Sequence, residues 1–172
     1  KLAPHLHLCL QSGSEQMLLK MRRMYTASQF REIMERFRNF ISDFNFTTDV
    51  IVGFPGETEK DFKMTLDFLS EATFSHIHTF RYSRRTRTRA DRMKEQIPGD
   101  VMSNRSEKIR QVSEEMRKAY LQSMIGKQQR VLIEKVDDDM VASGYGEHYV
   151  PIKFKVNSRE RNRFEEVYIS GM

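Results

Sequence analysis

The chain holds one cysteine, Cys9, in 172 residues. A lone thiol excludes an internal disulfide and points towards a reducing, cytoplasmic setting. No stretch approaches the roughly 18 consecutive apolar residues of a membrane helix, so no membrane partner is expected. The N-terminus, Lys1-Leu2-Ala3-Pro4, has neither an initiating Met nor the apolar run of a secretory leader. It reads as a chain cut from something longer. Prolines number four and glycines eight, so the Pro-Gly steps at 55–56 and 98–99 stand out as turns. Charge, by contrast, is plentiful. There are 29 Lys and Arg against 24 Asp and Glu, a net charge of +5. The excess suggests a polyanionic partner. The length suits one domain or two small ones.

Hydrophobic periodicity divides the chain. His5-Leu6-His7-Leu8-Cys9-Leu10 alternates as a strand, with His5, His7 and Cys9 on one side. Ser12 with Glu15 is expected to cap a short helix carrying Met17, Leu18 and Met21. Thr26 and Gln29 form a second capping pair, ahead of Phe30, Ile33, Met34, Phe37, Phe40 and Ile41 at helical spacing. Thr47 to Val52 reads as a buried strand, Gly53 to Gly56 as a turn, and Thr58 with Asp61 as the cap of a helix with Phe62, Leu66 and Leu69 inward. Ser75 to Tyr82 is a third strand, with His76, His78, Phe80 and Tyr82 on one face. Arg81 to Lys94 is basic. A long helix then runs to about Met124, with Ile109, Val112, Met116, Ala119 and Tyr120 as its stripe, and Gly126 stops it. Short alternating strands follow, at 130–136, 141–145, 148–156 and 164–170.

The order β-α-β-α-β calls for parallel strands. Each strand carries polar groups on one face, which suits a barrel with a polar lumen better than an open sheet apolar on both sides. Three strands cannot close a barrel, so partner strands are expected on the N-terminal side. The fold class is therefore α/β, with residues 1–125 as part of a (β/α) barrel plus a linking helix and residues 126–172 as a small antiparallel β-barrel.

Four motifs in register carry a family resemblance. They are His5-Leu6-His7-Leu8-Cys9-Leu10-Gln11-Ser12-Gly13-Ser14, Met21-Arg22-Arg23-Met24-Tyr25-Thr26, Thr48-Asp49-Val50-Ile51-Val52-Gly53-Phe54-Pro55-Gly56-Glu57-Thr58, and Phe80-Arg81-Tyr82-Ser83. Their order and spacing resemble the radical S-adenosylmethionine (SAM) methylthiotransferases over essentially the whole chain. Gly144-Tyr145-Gly146-Glu147-His148-Tyr149-Val150 resembles the TRAM segment of the branch that acts on threonylcarbamoyl-adenosine beside the tRNA anticodon. The resemblance implies the last three strands of a radical SAM barrel followed by a TRAM domain that binds the anticodon arm of tRNA. It implies addition of a methylthio group to a hypermodified adenosine, with SAM and two [4Fe–4S] clusters as cofactors. Alternatives are an isopentenyl-adenosine or ribosomal-protein methylthiotransferase, a non-catalytic RNA-binding module, or a degenerate homologue. Three features depart from the family. Cys9 stands where the family has Pro, the loop from Arg81 carries Arg84, Arg87 and Arg89 where the family has Pro and Gly residues, and the cluster cysteines are absent. One thiolate cannot hold a four-iron cluster. The chain is therefore expected to be inactive alone and to need the N-terminal half of the enzyme.

The same resemblance assigns candidate sites. Gln11, Ser12, Asp49, Ile51 and Gly53 would face the cofactor, with Ile51 and Gly53 offering backbone amides, and Arg23 would pair with its carboxylate. Against this, Asp49 could bond a neighbouring strand, Arg23 could be a solvated helix end, and Glu57 reads as an acid favouring a helix N-terminus. His7 and His78 are expected to line a substrate pocket together with Tyr82. No metal is expected, since these histidines have no acidic or Cys partner at ligand spacing. Arg84 and Arg85 in the basic loop are either RNA contacts or a solvated surface. Arg130, Lys153 and Lys155 on the later strands, with Tyr145 and Tyr149, suit single-stranded RNA loops whose bases stack.

Overall fold

The computed structural model describes residues 3–171. The elements follow as β1 (His5–His7), α1 (Glu15–Lys20), α2 (Ala27–Phe40), β2 (Asn45–Val52), α3 (Glu59–Ala72) and β3 (His76–Arg81), then the long α4 (Gly99–Ser123). Strands β4 (Gln128–Val136), β5 (Val141–Gly146), β6 (Pro151–Lys155) and β7 (Phe164–Tyr168) complete the chain. The first three strands form a parallel sheet in the order β1-β2-β3. The last four form a curled antiparallel sheet in the order β6-β5-β4-β7, a half-barrel whose outer strands do not pair with each other. The α/β architecture matches the alternation read from the sequence.

Two of the three expected helix caps form as read. Thr26 with Gln29, and Thr58 with Asp61, make reciprocal capping boxes. The first helix differs. Its cap is Ser14, whose hydroxyl accepts from the Met17 amide. Ser12 is fully buried instead and meets the Thr65 hydroxyl at 3.2 Å. Ser12 has Glu15 at the capping-box spacing and Ser14 has only Met17, but Ser12 is drawn under α3 beside Gly13, whose seat is tight: a Cβ there would lie 2.8 Å from the Met64 carbonyl oxygen.

The core lies on one side of the parallel sheet. Leu10, Phe46, Val50 and Val52 meet Phe30, Met34, Phe62, Phe68, Leu69 and Ile109. Their burial is the main stabilising term of this half. The stripe of α4 is more polar than expected. Ile109 is buried, but so are Arg105, Ser106 and Ser113, whereas Ala119 is exposed. Ser113 explains itself by accepting the Ile77 amide of β3 at 3.0 Å, which ties the helix to the sheet edge.

The opposite face of the parallel sheet is the polar one. His5, His7, Thr47, Asp49, His76, His78 and Phe80 line it by alternation, and Phe80 remains 51% exposed. At one end this face meets the second sheet. Asn45 Nδ2 donates to the His148 carbonyl at 2.7 Å, and the Tyr120 hydroxyl donates to the same oxygen at 3.0 Å. The Tyr149 ring stacks on His5 with centroids 4.4 Å apart.

Candidate functional site

Ligands of parallel α/β sheets sit at the carboxyl ends of the strands. Here those ends frame a cleft of about 520 Å³ lined by Gln11, Asp49, Ile51, Phe80, Tyr82 and Arg85, among others. The local chain explains the frame. Gln11, four residues beyond β1, adopts φ 68° and is bridged to Val50 of β2. Its amide donates to the Asp49 carbonyl and its carbonyl accepts from Ile51, at 2.8 and 2.9 Å. Tyr82 packs edge-on against Phe54, and its hydroxyl is shielded from solvent without a hydrogen-bond partner among the described residues. A buried phenol without a partner is costly, so this wall of the cleft fits a ligand that offers a polar atom.

Several site expectations need correction. Gly53 does not line the cleft. The strand ends at Val52, so alternation stops before it. Its φ of +74° begins the turn, and a Cβ there would lie 2.1 Å from Met102 Cγ of α4. Its amide is not free either, since it donates to Glu57 Oε2 at 2.7 Å. The Ile51 amide is likewise taken by Gln11, so only the Ile51 side chain faces the cleft. Ser12 is sealed beneath α3, bonded to Thr65 and to the Ser14 amide, and meets no ligand. Glu57 is more than a helix-end acid. It is buried and salt-bridged to Arg105 at 2.7 Å, with Arg105 also reaching Glu59 at 3.1 Å. Burial pushes the Glu57 carboxyl up, and the Gly53 amide and Arg105 offset part of that. This pair, which sequence reading missed, braces the turn beside the cleft. The only signal was an Arg on the inward stripe of α4.

Arg23 is exposed at the end of α1 and close enough to Cys9 for its charge to act on the thiol. Arg84 is folded back on its own loop, pairing with Asp91 at 2.5 Å and donating to the Asp91 carbonyl. Arg85 is exposed and borders the cleft. His7 and His78 do come together, with ring centroids 5.7 Å apart, and His78 lies 4.4 Å from His76. Burial first, then His78, holds His76 below the ordinary imidazole range; burial first, then His7, does the same for His5. The expectation that His7 lacks an acidic or Cys partner is overturned. Asp49 Oδ1 lies 3.3 Å from His7 Nε2, and the Cys9 thiol donates to Asp49 Oδ2 at 3.3 Å. Burial and this carboxylate push the Cys9 thiol up. Two strands in register did this, with Thr47 of β2 opposite His7.

On the curled sheet, Arg130 lies over the Phe164 ring at 4.4 Å. Leu132 pairs with both Tyr145 and Phe164, so those three share the outer face with Arg130. Lys153 pairs with Ser143, and Lys155 with Val141, along the β6 edge. Both lysines are exposed, though Lys155 Nζ donates to the Asp139 carbonyl.

A [4Fe–4S] cluster needs several thiolates. The only cysteine is Cys9, so these residues do not fit a cluster. The cleft, with its unpartnered phenol and mixed polar and aromatic wall, does fit a nucleoside-bearing cofactor.

Comparison with known proteins bears on the fold and site together. Residues 2–69 match the family model described as Radical SAM superfamily. The chain is 40% identical over 157 residues to the threonylcarbamoyladenosine tRNA methylthiotransferase of Thermotoga maritima, covering 91% of this chain and 36% of the relative. It is 43% identical over 130 residues to the tRNA-2-methylthio-N(6)-dimethylallyladenosine synthase of Thermobifida fusca, covering 76% of this chain and 26% of the relative. The Bacillus subtilis threonylcarbamoyladenosine tRNA methylthiotransferase is 35% identical over 159 residues, 90% of this chain and 35% of that protein. The chain thus spans about a third of the length of the curated relatives it matches, 36% of the first. With the parallel sheet, its polar face and these matches in agreement, the chain belongs to the radical SAM methylthiotransferase family.

Proposed function

We propose that this chain is the C-terminal part of a tRNA methylthiotransferase that modifies a hypermodified adenosine beside the anticodon, with threonylcarbamoyl-adenosine as substrate. The observation that carries the reading is the cleft at the carboxyl ends of β1, β2 and β3, walled by Gln11, Asp49, Ile51 and Tyr82. SAM would be held there, where it supplies the methyl group and the radical-generating chemistry of the family. Gln11 and Asp49 offer polar contacts, Tyr82 a hydroxyl, and Ile51 and Phe80 apolar surface for a base. Arg23, exposed beyond α1 and near enough to Cys9 for its charge to act there, would meet the cofactor carboxylate. His7 and His78 line the lumen below, where the adenosine would enter. Clusters belong to the remainder of the enzyme. The threonylcarbamoyl branch is preferred because the relatives of that name match along somewhat more of this chain, 89% to 91% against 76% to 84%.

Residues 126–172 act, in this reading, as a TRAM domain on which anticodon-arm bases stack, with Tyr145 and Phe164 as platforms and Arg130 and Lys153 beside phosphates, while Arg85 on the loop after β3 adds a further phosphate contact. The test is nucleoside mass spectrometry in a cell lacking its own methylthiotransferases. The full-length polypeptide containing this chain should restore 2-methylthio-threonylcarbamoyl-adenosine, and Asp49→Ala should abolish it. Restoration of the dimethylallyl product alone would overturn the branch, and restoration of neither would overturn the function.

A further inference from the structure

We propose a divalent-cation site in the lumen of this chain, built from His7, Cys9 and Asp49 and suited to Zn²⁺. It needs no assumption about what fills the cleft. β1 ends on His7, Cys9 follows two residues later with its thiol beside the His7 ring, and β2 brings Asp49 against both. The three side chains offer ligand atoms that all lie within 4.8 Å of one another. His7 Nε2 is 3.3 Å from Asp49 Oδ1, Cys9 Sγ is 3.3 Å from Asp49 Oδ2, and Cys9 Sγ is 3.5 Å from His7 Nε2. A tetrahedral Zn²⁺ with its usual bond lengths holds N, O and S donors about 3.3–3.6 Å apart. Each of the three separations is therefore that of two donors in such a polyhedron, the two to Asp49 ending on different carboxylate oxygens. His7 and Cys9 meet different carboxylate oxygens, so the cation would approach the edge of Asp49 and take one oxygen or both.

The support around the triangle points the same way. His7 Nδ1 lies 2.9 Å from Thr47 Oγ1, and that hydroxyl lies 3.1 Å from His5 Nε2. Thr47 can accept from Nδ1–H and donate to His5, which leaves the Nε2 lone pair of His7 aimed at the cation. Histidine ligands are usually oriented by such a bond through the other ring nitrogen. Three protein ligands leave a fourth position open towards the lumen, the pattern of a site that takes water or a substrate atom. A mixed imidazole, thiolate and carboxylate set selects Zn²⁺ or its neighbours over Mg²⁺ and Ca²⁺, and a coordinated thiol is held as thiolate.

Cobalt substitution tests the site, because this chain has one thiol and any thiolate-to-cobalt band must come from Cys9. Titration of the 172-residue chain with Co²⁺ should give one equivalent of tetrahedral cobalt, with a near-ultraviolet thiolate charge-transfer band and intense visible bands, both lost on adding one equivalent of Zn²⁺. Cys9→Ser should remove the charge-transfer band while circular dichroism stays unchanged. His7→Ala and Asp49→Asn should each weaken binding. Thr47→Val, which touches no metal, should weaken it by about 10- to 100-fold. Absence of the band at saturating Co²⁺, weak octahedral spectra, or binding unaffected by Cys9→Ser would each overturn the proposal and leave only a hydrogen-bonded cluster.

Discussion

Replacing Arg105 by Met gives the sharpest test of how the cleft is braced. In the folded chain the Glu57 side chain is 1% exposed and that of Arg105 7%. Glu57 Oε2 accepts from Arg105 at 2.7 Å and from the Gly53 amide at 2.7 Å, and Arg105 also donates to the Glu57 carbonyl at 3.1 Å. Arg105→Met leaves a carboxylate sealed from water with one amide to hold it. Breaking a buried pair in this way costs about 3–5 kcal/mol. Glu57→Gln is milder. Its amide oxygen still accepts from Gly53, and Arg105 keeps Glu59 at 3.1 Å, so the expected loss is about 1.5–3 kcal/mol. The double variant Glu57→Gln/Arg105→Met should be more stable than the two single losses add up to, with a coupling of at least about 1 kcal/mol. Urea unfolding followed by circular dichroism, with similar slopes across the set, measures all three. An Arg105→Met loss below about 1 kcal/mol, or strict additivity, would refute the bracing argument, since an isolated buried charge cannot be that cheap.

Other outcomes follow from the same coordinates. Gly144→Ala should be worse for stability than Gly53→Ala, because the new Cβ would lie 1.9 Å from the Leu132 carbonyl oxygen of a paired strand, whereas at Gly53 the obstacle is the movable Met102 side chain; thermal melts of the two variants rank them. Acid should weaken the fold in two steps. His5 and His76 are held below the ordinary imidazole value, so their contribution is present above about pH 6.5 and is lost as pH falls from there. Asp43 and Asp61 are raised by burial but lowered further, by Lys127 and His148 around Asp43 and by Ser14 and Thr58 around Asp61, so their contribution is lost below about pH 4. Urea midpoints across that range should show both falls, and Asp43→Asn should shrink the lower one. Tyr145→Ala should cost about 1–3 kcal/mol of anticodon-arm affinity if one base stacks there, read by fluorescence anisotropy at fixed salt.

Much of the fold was legible because it rests on local rules. The capping pairs at Thr26 and Thr58 and the strand before Gly53 each survive in the structure, whereas the strand read over His5 to Leu10 is regular only over His5–His7. What was not legible depends on distant partners. Ser12 has Glu15 at the capping-box spacing, yet its contact with Thr65 of α3 takes it out of reach and leaves the cap to Ser14. Period-two counting placed Gly53 on the lumen side, but it cannot know that the strand ends one residue earlier. Arg105 falls on the inward stripe of α4, four residues before Ile109, but nothing local names its partner Glu57, 48 residues away in sequence. The His7, Cys9 and Asp49 triangle was missed for a similar reason: spacing along one strand says nothing about register with the next.

The segment from Gly144 to Tyr149 also takes on a second meaning. Its glycines answer to packing first, since a Cβ at Gly146 would lie 2.6 Å from Gln129 Oε1 and one at Gly144 would strike β4. His148 gives its carbonyl to Asn45 and Tyr120 and sets its ring 3.2 Å from Asp43, all on the first half of the chain. Tyr149, at φ 61°, stacks on His5 with one face and on Tyr145 with the other. Stacked on both rings, Tyr149 couples the two sheets, and it and Tyr145 both remain partly exposed. The stack then runs from the outer face of the curled sheet to His5, whose Nε2 meets Thr47, the residue that also orients His7. An RNA base on Tyr145 would therefore sit in a fixed relation to the lumen of the parallel sheet, and a substitution at Tyr149 should loosen that relation before it weakens binding.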